Sequence, residues 1–276
     1  MKNTPTRRTF LKTMMTAPAL STFSFQVLTS TSDHGKKDLP HKFKLSLNVY
    51  SFNALLQQGV IDLFDVLDFC AEYNFEAIDP TAYYFPGYPE VPADEYMREF
   101  KRKAFLLGLD ISGTGVRNDF ANPDADSRRD DIELIRQWTE VAFKMGIPAL
   151  RIFPGHHDHS GYAREEVFEW MARDIKTCCK TGEKYGVMIA VQNHNGFLKT
   201  AADVNHLFTL VDSDWMGLNL DIGSYRQHPP YQEIQKNIHK AITWQIKENV
   251  WIEDQETPTD FERLMPIIQR SGYRGY

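Results

Sequence analysis

Polar and charged side chains stand at the ends of several apolar stretches in this sequence. The positions that share this placement are Asn48, Asp79, Arg151, Gln192, Asp221 and Gln245. Asp221 closes the run "LNLD", and a buried aspartate requires a cation or several hydrogen-bond donors. His194 follows Gln192 by two residues and would face the same side of a continuing strand, where a histidine can take up a proton near neutral pH. These residue types are suited to proton transfer or to electrostatic stabilisation of a charged group.

One further basic and two aromatic side chains extend this set, in which Arg151 is already a basic member. Arg151 could bind a hydroxyl, carboxylate or phosphate group, and its alternative is a buried ion pair. Lys247 ends the last apolar run and is a candidate catalytic or oxyanion-binding cation. Tyr84, in the segment "TAYYFPGYPEVP", and Trp251 are candidates to stack on a sugar face. Together with Asn48 and Arg151, these two aromatic residues form the predicted substrate-binding set.

Short apolar runs alternate with amphipathic stretches of helical period along most of the chain. The runs cover 45–50, 75–79, 109–114, 149–153, 187–192, 216–222 and 241–247. The predicted helices between and after them cover 61–73, 93–107, 126–145, 164–185, 201–211, 230–239 and 259–271. This alternation predicts parallel strands joined by crossover helices, and the first run lacks a GxGxxG dinucleotide fingerprint.

A closed barrel would bring all the polar run ends to one mouth, where active sites of that fold lie. We therefore predict an α/β fold, a (β/α)8 TIM barrel over residues 43–276. Seven strands are found, and the last helix is followed only by "SGYRGY". The pattern leads us to expect a barrel truncated before strand eight.

Composition restricts the classes of partner. The chain has 276 residues, 42% hydrophobic and 25% charged, which is ordinary for a globular domain. Its formal net charge of −6 does not match the basic surface of nucleic-acid-binding proteins, so no nucleic-acid partner is expected. A small-molecule carbohydrate fits this charge, because most sugars are neutral. The three cysteines are an odd number with an adjacent pair, which argues against a disulfide framework.

The N-terminus has the features of an export address. Residues 6–12 read "TRRTFLK", and a modest apolar stretch comes next, typical of a bacterial twin-arginine signal over residues 1–30. We expect the export machinery to read Arg7 and Arg8, and the protein to be periplasmic. The stretch is too short and too polar for a membrane span, and residues 31–42 are predicted to be a linker. This route carries folded proteins, which favours a bound metal or a homo-oligomer.

Several phrases at the strand ends resemble one superfamily. These are "FEAIDPTAYYFPGYP", "LRIFPG", "VMIAVQNHNGF", "LNLDIGSY", "TWQIKEN" and "SGYRGY". Over residues 44–276 the chain is similar to the xylose-isomerase-like barrels of sugar phosphate isomerases and epimerases. The resemblance implies one divalent metal (Mn, Mg, Co or Zn), held by a Glu, an Asp, a His and a Glu on strands five to eight. It also implies proton transfer through an enediolate.

Carried over residue by residue, the resemblance makes Asp221 the aspartate ligand. Gln192 takes the position of the strand-five glutamate and Gln245 that of the histidine. An amide oxygen can coordinate a hard cation, so the predicted metal set is Gln192, Asp221 and Gln245. An amide cannot serve as a general base, however. His194 is therefore the expected replacement base, with Lys247 as the second catalytic residue.

The resemblance makes a sugar isomerase or epimerase the expected function. A keto-sugar lyase uses the same enolate intermediate and stays open as an alternative. A non-catalytic sugar-binding barrel is the second alternative, since two expected ligands are amides. The related DNA-repair barrels are disfavoured by the acidic charge and by the export signal.

Overall fold

The computed structural model describes residues 43–194 and 196–276. The predicted signal of residues 1–30, with Arg7 and Arg8, and the linker of residues 31–42 lie outside the described residues. Their roles therefore stay predictions. No helix in the described part is both long and apolar enough to cross a membrane.

Parallel strands form the wall of the barrel. The strands are β1 (Ser46–Asn48), β2 (Ala77–Asp79), β3 (Asp110–Ile111), β4 (Thr114–Gly115), β5 (Ala149–Ile152), β6 (Met188–Gln192), β7 (Met216–Asp221) and β8 (Ala241–Gln245). They pair in the order β1-β2-β3 and β4-β5-β6-β7-β8, always in parallel. Because β3 and β4 divide a single predicted run, the seven predicted strands and their parallel arrangement are confirmed.

Helices follow the strands as the sequence periodicity predicts. They are α1 (Asn53–Gln57), α2 (Leu63–Glu72), α3 (Asp94–Leu106), α4 (Ala125–Met145), α5 (Arg164–Tyr185), α6 (Ala201–Val211), α7 (Pro230–Asn237) and α8 (Phe261–Ser271). Side-chain caps fix where they begin: Asp62 forms a capping box with Asp65 before α2, and Thr200 forms one before α6. Helices α4 and α5 end at Gly146 and Gly186, both left-handed. Of these helices, only the short α1 was not predicted.

An antiparallel hairpin follows β8 and was not predicted either. Strand β9 (Asn249–Ile252) pairs with β10 (Gln255–Pro258). The turn between them places Glu253 and Asp254 at φ 50° and 61°, the double left-handed conformation of a tight hairpin. Because the hairpin follows the end of β8 directly, it lies beside the polar strand ends.

The last four residues of the chain lie alongside β8. The Trp244 amide donates to the Tyr276 carbonyl (3.1 Å), and the Tyr273 hydroxyl donates to the Ile242 carbonyl (3.1 Å). The Tyr276 hydroxyl reaches the Asp110 carboxylate of β3, and Lys44 lies 4.9 Å from the Tyr276 ring centroid. Within residues 43–194 and 196–276, β1 and β8 do not pair with each other, and this segment contacts both β8 and Lys44, which lies just before β1.

The core contains the residues that helical spacing assigned to it. Trp138 is fully buried and Trp170 is 8% exposed, and each indole N–H donates to a backbone carbonyl. All three cysteines are buried and unpaired, as the odd count predicts. The packed helices hold the strands, so the strand ends form a fixed frame for the site.

A half-buried carboxylate, that of Asp131, anchors the loop that follows β4. The Asp119 amide donates to Asp131 Oδ2 (2.8 Å), and Asp119 Oδ1 in turn accepts from the amides of Ala121 (3.0 Å) and His156 (3.2 Å). Burial raises the pKa of Asp131 to about 6, well above that of an ordinary aspartate. The folded protein is therefore less stable when the Asp131 carboxyl group is ionised than when it is protonated.

The raised pKa of Asp131 predicts a pH dependence of stability. Between about pH 4 and about pH 6 the folded state holds a proton that the unfolded state has lost, so the free energy of unfolding falls as pH rises. Asp131→Asn should abolish this fall and gain on the order of 2 kcal/mol at neutral pH. Urea unfolding across this pH range measures the effect, with Asp130→Asn at the exposed neighbouring position as the control. Parallel pH profiles for Asp131→Asn and the unmodified protein would contradict the prediction.

Candidate active site

A pocket of about 280 Å³ lies at the carboxyl ends of the barrel strands. Its lining residues are Asn48, Tyr50, Tyr83, Arg117, Arg151, Phe153, Gln192, His194, Gln245 and Lys247. The structure thus brings six of the nine predicted site residues to one pocket. Asp221, a seventh, lies directly behind the pocket wall. We refer to this pocket as the mouth pocket.

Asp221 is fully buried, and other side chains compensate its charge. Lys247 Nζ lies 2.9 Å from Asp221 Oδ2, and Gln192 Nε2 donates to the same oxygen at 2.7 Å. The second oxygen, Oδ1, accepts from the Gly223 amide at 3.0 Å. A buried carboxylate is tolerated only with such partners. In this chain the cation that compensates Asp221 is therefore an ammonium from the neighbouring strand end.

The backbone of Asp221 is fixed by Asn193, which sequence reasoning did not single out. Asn193 is fully buried, its Oδ1 accepts from the Asp221 amide (2.7 Å), and its Nδ2 donates to the Asp221 carbonyl (3.0 Å). This amide clamp joins the ends of β6 and β7. It holds the carboxylate in place without using either of its oxygens.

Gly223 makes room for the lysine. A Cβ at this position would lie 2.8 Å from Lys247 Cδ, which is closer than van der Waals contact allows. The Lys247 backbone is held too, because its carbonyl accepts from Thr259 Oγ1 (2.7 Å), just after the hairpin. The hairpin thus helps to place Lys247 against Asp221.

The donor set of these residues does not match a divalent metal. Asp221 is the single carboxylate of the predicted set, and Gln192 turns its NH₂ group, a donor, towards it. Gln245 Oε1 is buried and has no hydrogen-bond partner among the described residues. The described residues contain no group of three or more His, Cys, Asp or Glu side chains placed to hold a metal ion. One free amide oxygen and one already paired carboxylate are a poor site for Mn²⁺, Mg²⁺, Co²⁺ or Zn²⁺.

Arg151 is committed mainly to an ion pair. It is 5% exposed, pairs with Asp79 of β2 and donates to Thr81 Oγ1 at 3.2 Å. Asn48 also donates to Asp79 (3.0 Å) and accepts from the Tyr50 amide. Of the two interpretations of Arg151, the buried ion pair agrees with these contacts. The side chain nevertheless borders the mouth pocket. Arg151 and Asn48 are thus both engaged with Asp79, and a substrate would meet side chains that already have hydrogen-bond partners.

His194 stands in the turn that follows β6. Its ring packs edge-on against Phe153, with centroids 5.3 Å apart, and its ring nitrogens hydrogen-bond to no other described residue. Partial burial lowers the pKa of His194, and the Lys247 ammonium lowers it further, while Asp221 acts in the opposite direction. The imidazole is therefore neutral at pH 7 and has a lone pair to accept a proton.

The aromatic wall differs from the one predicted. Tyr83, and not Tyr84, borders the mouth pocket, because the Tyr84 hydroxyl turns away to donate to Asn53 (2.6 Å). Arg117, which follows β4, stacks on Tyr83 with 4.2 Å from guanidinium to ring centroid. Trp251 lies in β9 outside the mouth-pocket lining. Tyr84 and Trp251 thus lie outside the lining of the mouth pocket, whereas Tyr83 and Arg117, which were not predicted, belong to it.

A larger groove of about 860 Å³ is formed by the loops after β5, β6 and β7 together with the hairpin turn. Its basic lining residues are His156, His157, His159, Arg164, Lys199, Arg226 and His228. Arg226 stacks on Trp251, with its guanidinium 4.0 Å from the ring centroid. Trp251 therefore supports a groove residue and does not border the mouth pocket.

Comparison with known proteins places this fold in a family. Residues 67–276 match the xylose isomerase-like TIM barrel family, and the chain belongs to it. The family membership and the barrel fold confirm the resemblance described from the sequence. The matched residues do not include the predicted twin-arginine signal of residues 1–30, so the signal stays a prediction.

Solved structures of related barrels include sugar epimerases. A 3-keto-D-glucoside 4-epimerase, YcjR, from E. coli is 12% identical, with a TM-score of 0.67 over 85% of this chain and 90% of that one. The IOLI protein with a bound zinc atom is 15% identical, with a TM-score of 0.69 over 85% and 87%. The probable 3-DHS dehydratase AsbF from Bacillus anthracis is 16% identical, with a TM-score of 0.68 over 83% and 89%. At these identities the likeness establishes the fold.

A curated relative matches a shorter stretch. "Probable endonuclease 4" from Thermotoga sp. (strain RQ2) is 30% identical over 108 residues. The match covers 38% of this chain and 36% of that relative, well below two thirds of its length.

Proposed function

We propose that this chain is an enzyme that moves a proton next to the carbonyl group of a small carbohydrate, as an isomerase or epimerase. The observation that carries the proposal is the mouth pocket, in which the unbonded imidazole of His194 faces the same cavity as the Lys247 ammonium. A base and a cation in one cavity are what the formation of an enediolate requires.

The size and lining of the pocket support a sugar-sized substrate. Its volume of about 280 Å³ is at the lower end of ligand pockets, which suits a monosaccharide-sized molecule. Tyr50, Tyr83 and Phe153 supply aromatic surface for the apolar faces of a sugar ring, and Arg117 and Lys247 supply donors for its hydroxyl groups. The polar groups give orientation and the rings give contact area.

In the proposed reaction His194 takes the proton from the carbon next to the carbonyl group. The electron pair of the broken C–H bond forms the C=C bond of the enediolate, and the carbonyl oxygen takes the negative charge. Protonation of the former carbonyl carbon, together with transfer of the neighbouring hydroxyl proton to the first oxygen, moves the carbonyl group and gives an isomer. Protonation of the original carbon from the opposite face gives an epimer. Among the described residues, three cations border the pocket and are candidates to hold the negative charge: Arg117, Arg151 and Lys247.

A keto-sugar lyase is the second candidate, because elimination proceeds from the same intermediate. It is favoured by the fold's occurrence in a protein described as a probable dehydratase. The two reactions differ only after the enediolate has formed, because an isomerase returns a proton to it whereas a lyase expels a hydroxyl group. A nucleic-acid substrate, as the name of the Thermotoga relative suggests for that protein, is disfavoured by the net charge of −6.

Deuterium exchange tests the proposal. The full-length protein should incorporate deuterium from D₂O next to the carbonyl group of at least one keto-sugar, detected by NMR across a panel of keto-hexoses, keto-pentoses and 3-keto-glycosides. An isomerase, an epimerase and a lyase all make the enediolate and all pass this test. Saturable binding of a sugar from the panel without any exchange would instead identify a sugar-binding barrel.

Export and assembly are proposed on sequence grounds. We expect Arg7→Lys with Arg8→Lys to retain the protein in the cytoplasm, because the arginine pair is read by a receptor as an address. Fractionation of cells that express the full chain measures this, and unchanged periplasmic yield would contradict it. A homo-oligomer is the proposed assembly, and light scattering on the exported protein is its test.

A further inference from the structure

We propose that the Lys247 ammonium takes the place of the divalent metal expected in the barrel mouth, so that this protein works without a metal ion. The catalytic part of this inference rests on the proposed function, whereas the exclusion of metal does not. The predicted metal set of Gln192, Asp221 and Gln245 is thereby reassigned.

The charges at the mouth balance without a metal. Asp221 carries one negative charge and Lys247 one positive charge, and their charged atoms lie 2.9 Å apart. Both oxygens of Asp221 are engaged, Oδ2 by Lys247 and Gln192 and Oδ1 by the Gly223 amide. A divalent ion would have to displace the ammonium and would then meet, among the described residues, the single carboxylate of Asp221, a weak site for a hard cation.

Of the three cations that border the mouth pocket, Lys247 is the one placed to act on a substrate oxygen. Arg151 is 5% exposed and paired with Asp79. Arg117 is exposed and stacks on Tyr83. Lys247 is 39% exposed, and an ammonium has three donors, so it can bond Asp221 and still offer a proton to the cavity.

The surroundings of Lys247 hold it in this position. Gly223 leaves room for its stem, because a Cβ there would lie 2.8 Å from Cδ. Its carbonyl is fixed by Thr259 Oγ1 at 2.7 Å. A cation held rigidly by a buried carboxylate stabilises developing negative charge without reorganising, which is the electrostatic role of a metal ion in such reactions.

Metal binding provides the first test, and it needs no substrate. The full-length protein is incubated with Mn²⁺, Co²⁺ or Zn²⁺, dialysed and analysed for elements, with Co²⁺ also followed by its absorption spectrum. We expect no stoichiometric metal and no shift in melting temperature. One equivalent of bound metal per chain in the unmodified protein would overturn the proposal.

A gain of metal binding provides the second test. Lys247→Met combined with Gln192→Glu removes the ammonium and adds a carboxylate beside Asp221. We expect this double variant to bind Co²⁺ or Zn²⁺ and to melt at a higher temperature with the metal than without it. Gln192→Glu alone keeps the lysine and should bind metal more weakly than the double variant. Equal metal binding by the single variant would overturn the assignment of the ammonium as the occupant of this site.

Exchange activity provides the third test. Lys247→Met should lower the rate of deuterium exchange by about 10²–10³-fold, as expected for loss of one preorganised donor. Lys247→Arg keeps a cation beside Asp221, so it should remain folded and retain more activity than Lys247→Met. EDTA should leave the exchange rate of the unmodified protein unchanged. Lys180→Met on the exposed face of α5 is the matched control. Exchange that stops when EDTA is added would overturn the proposal. If no sugar shows exchange and the unmodified protein binds no metal, only the proposed function is overturned.

Discussion

Lys247→Met should destabilise the fold by about 3 kcal/mol, because it leaves the Asp221 carboxylate buried without a cation. Asp221 is fully buried, and its remaining partners would be Gln192 Nε2 and the Gly223 amide. Two neutral donors solvate a carboxylate less well than water does, so the cost of burial is only partly offset.

The reciprocal variant should cost less. Asp221→Asn leaves an unpaired Lys247, but this side chain is 39% exposed and its ammonium can turn into solvent at the mouth. We expect a loss of about 1 kcal/mol, the net contribution of a typical hydrogen bond. The asymmetry arises because one member of the pair is fully buried and the other borders water.

A double-mutant cycle measures both effects and their coupling. Once Asp221→Asn has removed the buried charge, adding Lys247→Met should cost little, so the double variant should be more stable than Lys247→Met alone. Urea unfolding of the four proteins, followed by tryptophan fluorescence and circular dichroism, gives the free energies. A larger loss for Asp221→Asn than for Lys247→Met would mean that the carboxylate serves mainly as an acceptor for Gln192 and Gly223.

The sequence pattern predicts the barrel well because burial on both faces makes its parallel strands continuous apolar runs. The pairing of Asp221 with Lys247 follows from the register between strands, which a sequence does not display. Asp221 is opposite Gln245 in the β7–β8 ladder, and Lys247, two residues further on, stays on the same side of the strand. The structure therefore shows that a residue expected to act on substrate also compensates the expected metal ligand.

Other features were missed for local reasons. The hairpin turn at Glu253 and Asp254 lacks the Asn-Gly or Asp-Gly pair that normally signals it, so nothing distinguished it from a loop. Tyr83 and Tyr84 are adjacent in one turn of 3₁₀ helix, and the hydrogen bond to Asn53 decides which ring leaves the mouth. Such choices depend on contacts between segments 31 residues apart in the chain.

His194→Asn should lower the rate of deuterium exchange by about 10²–10⁴-fold, the usual contribution of a general base. The imidazole borders the mouth pocket, and its lowered pKa leaves it neutral at pH 7, able to accept a proton. Asparagine keeps a polar side chain of similar size, but its amide cannot take up the proton. Binding of the same sugar should change little, because His194 acts on the C–H bond and the aromatic wall supplies the contact area.

The matched control is His239→Asn, the same substitution at an exposed histidine before β8, at the end of the barrel opposite the mouth. NMR gives the exchange rates, calorimetry gives the sugar affinity and a melting curve verifies the fold of each variant. A His194→Asn protein that exchanges at the unmodified rate would rule out His194 as the base. Weakened sugar binding with a proportionate loss of exchange would instead assign His194 to substrate positioning. The combination expected for a base is a large loss of exchange at unchanged affinity, because a group that acts only in the transition state leaves ground-state binding intact.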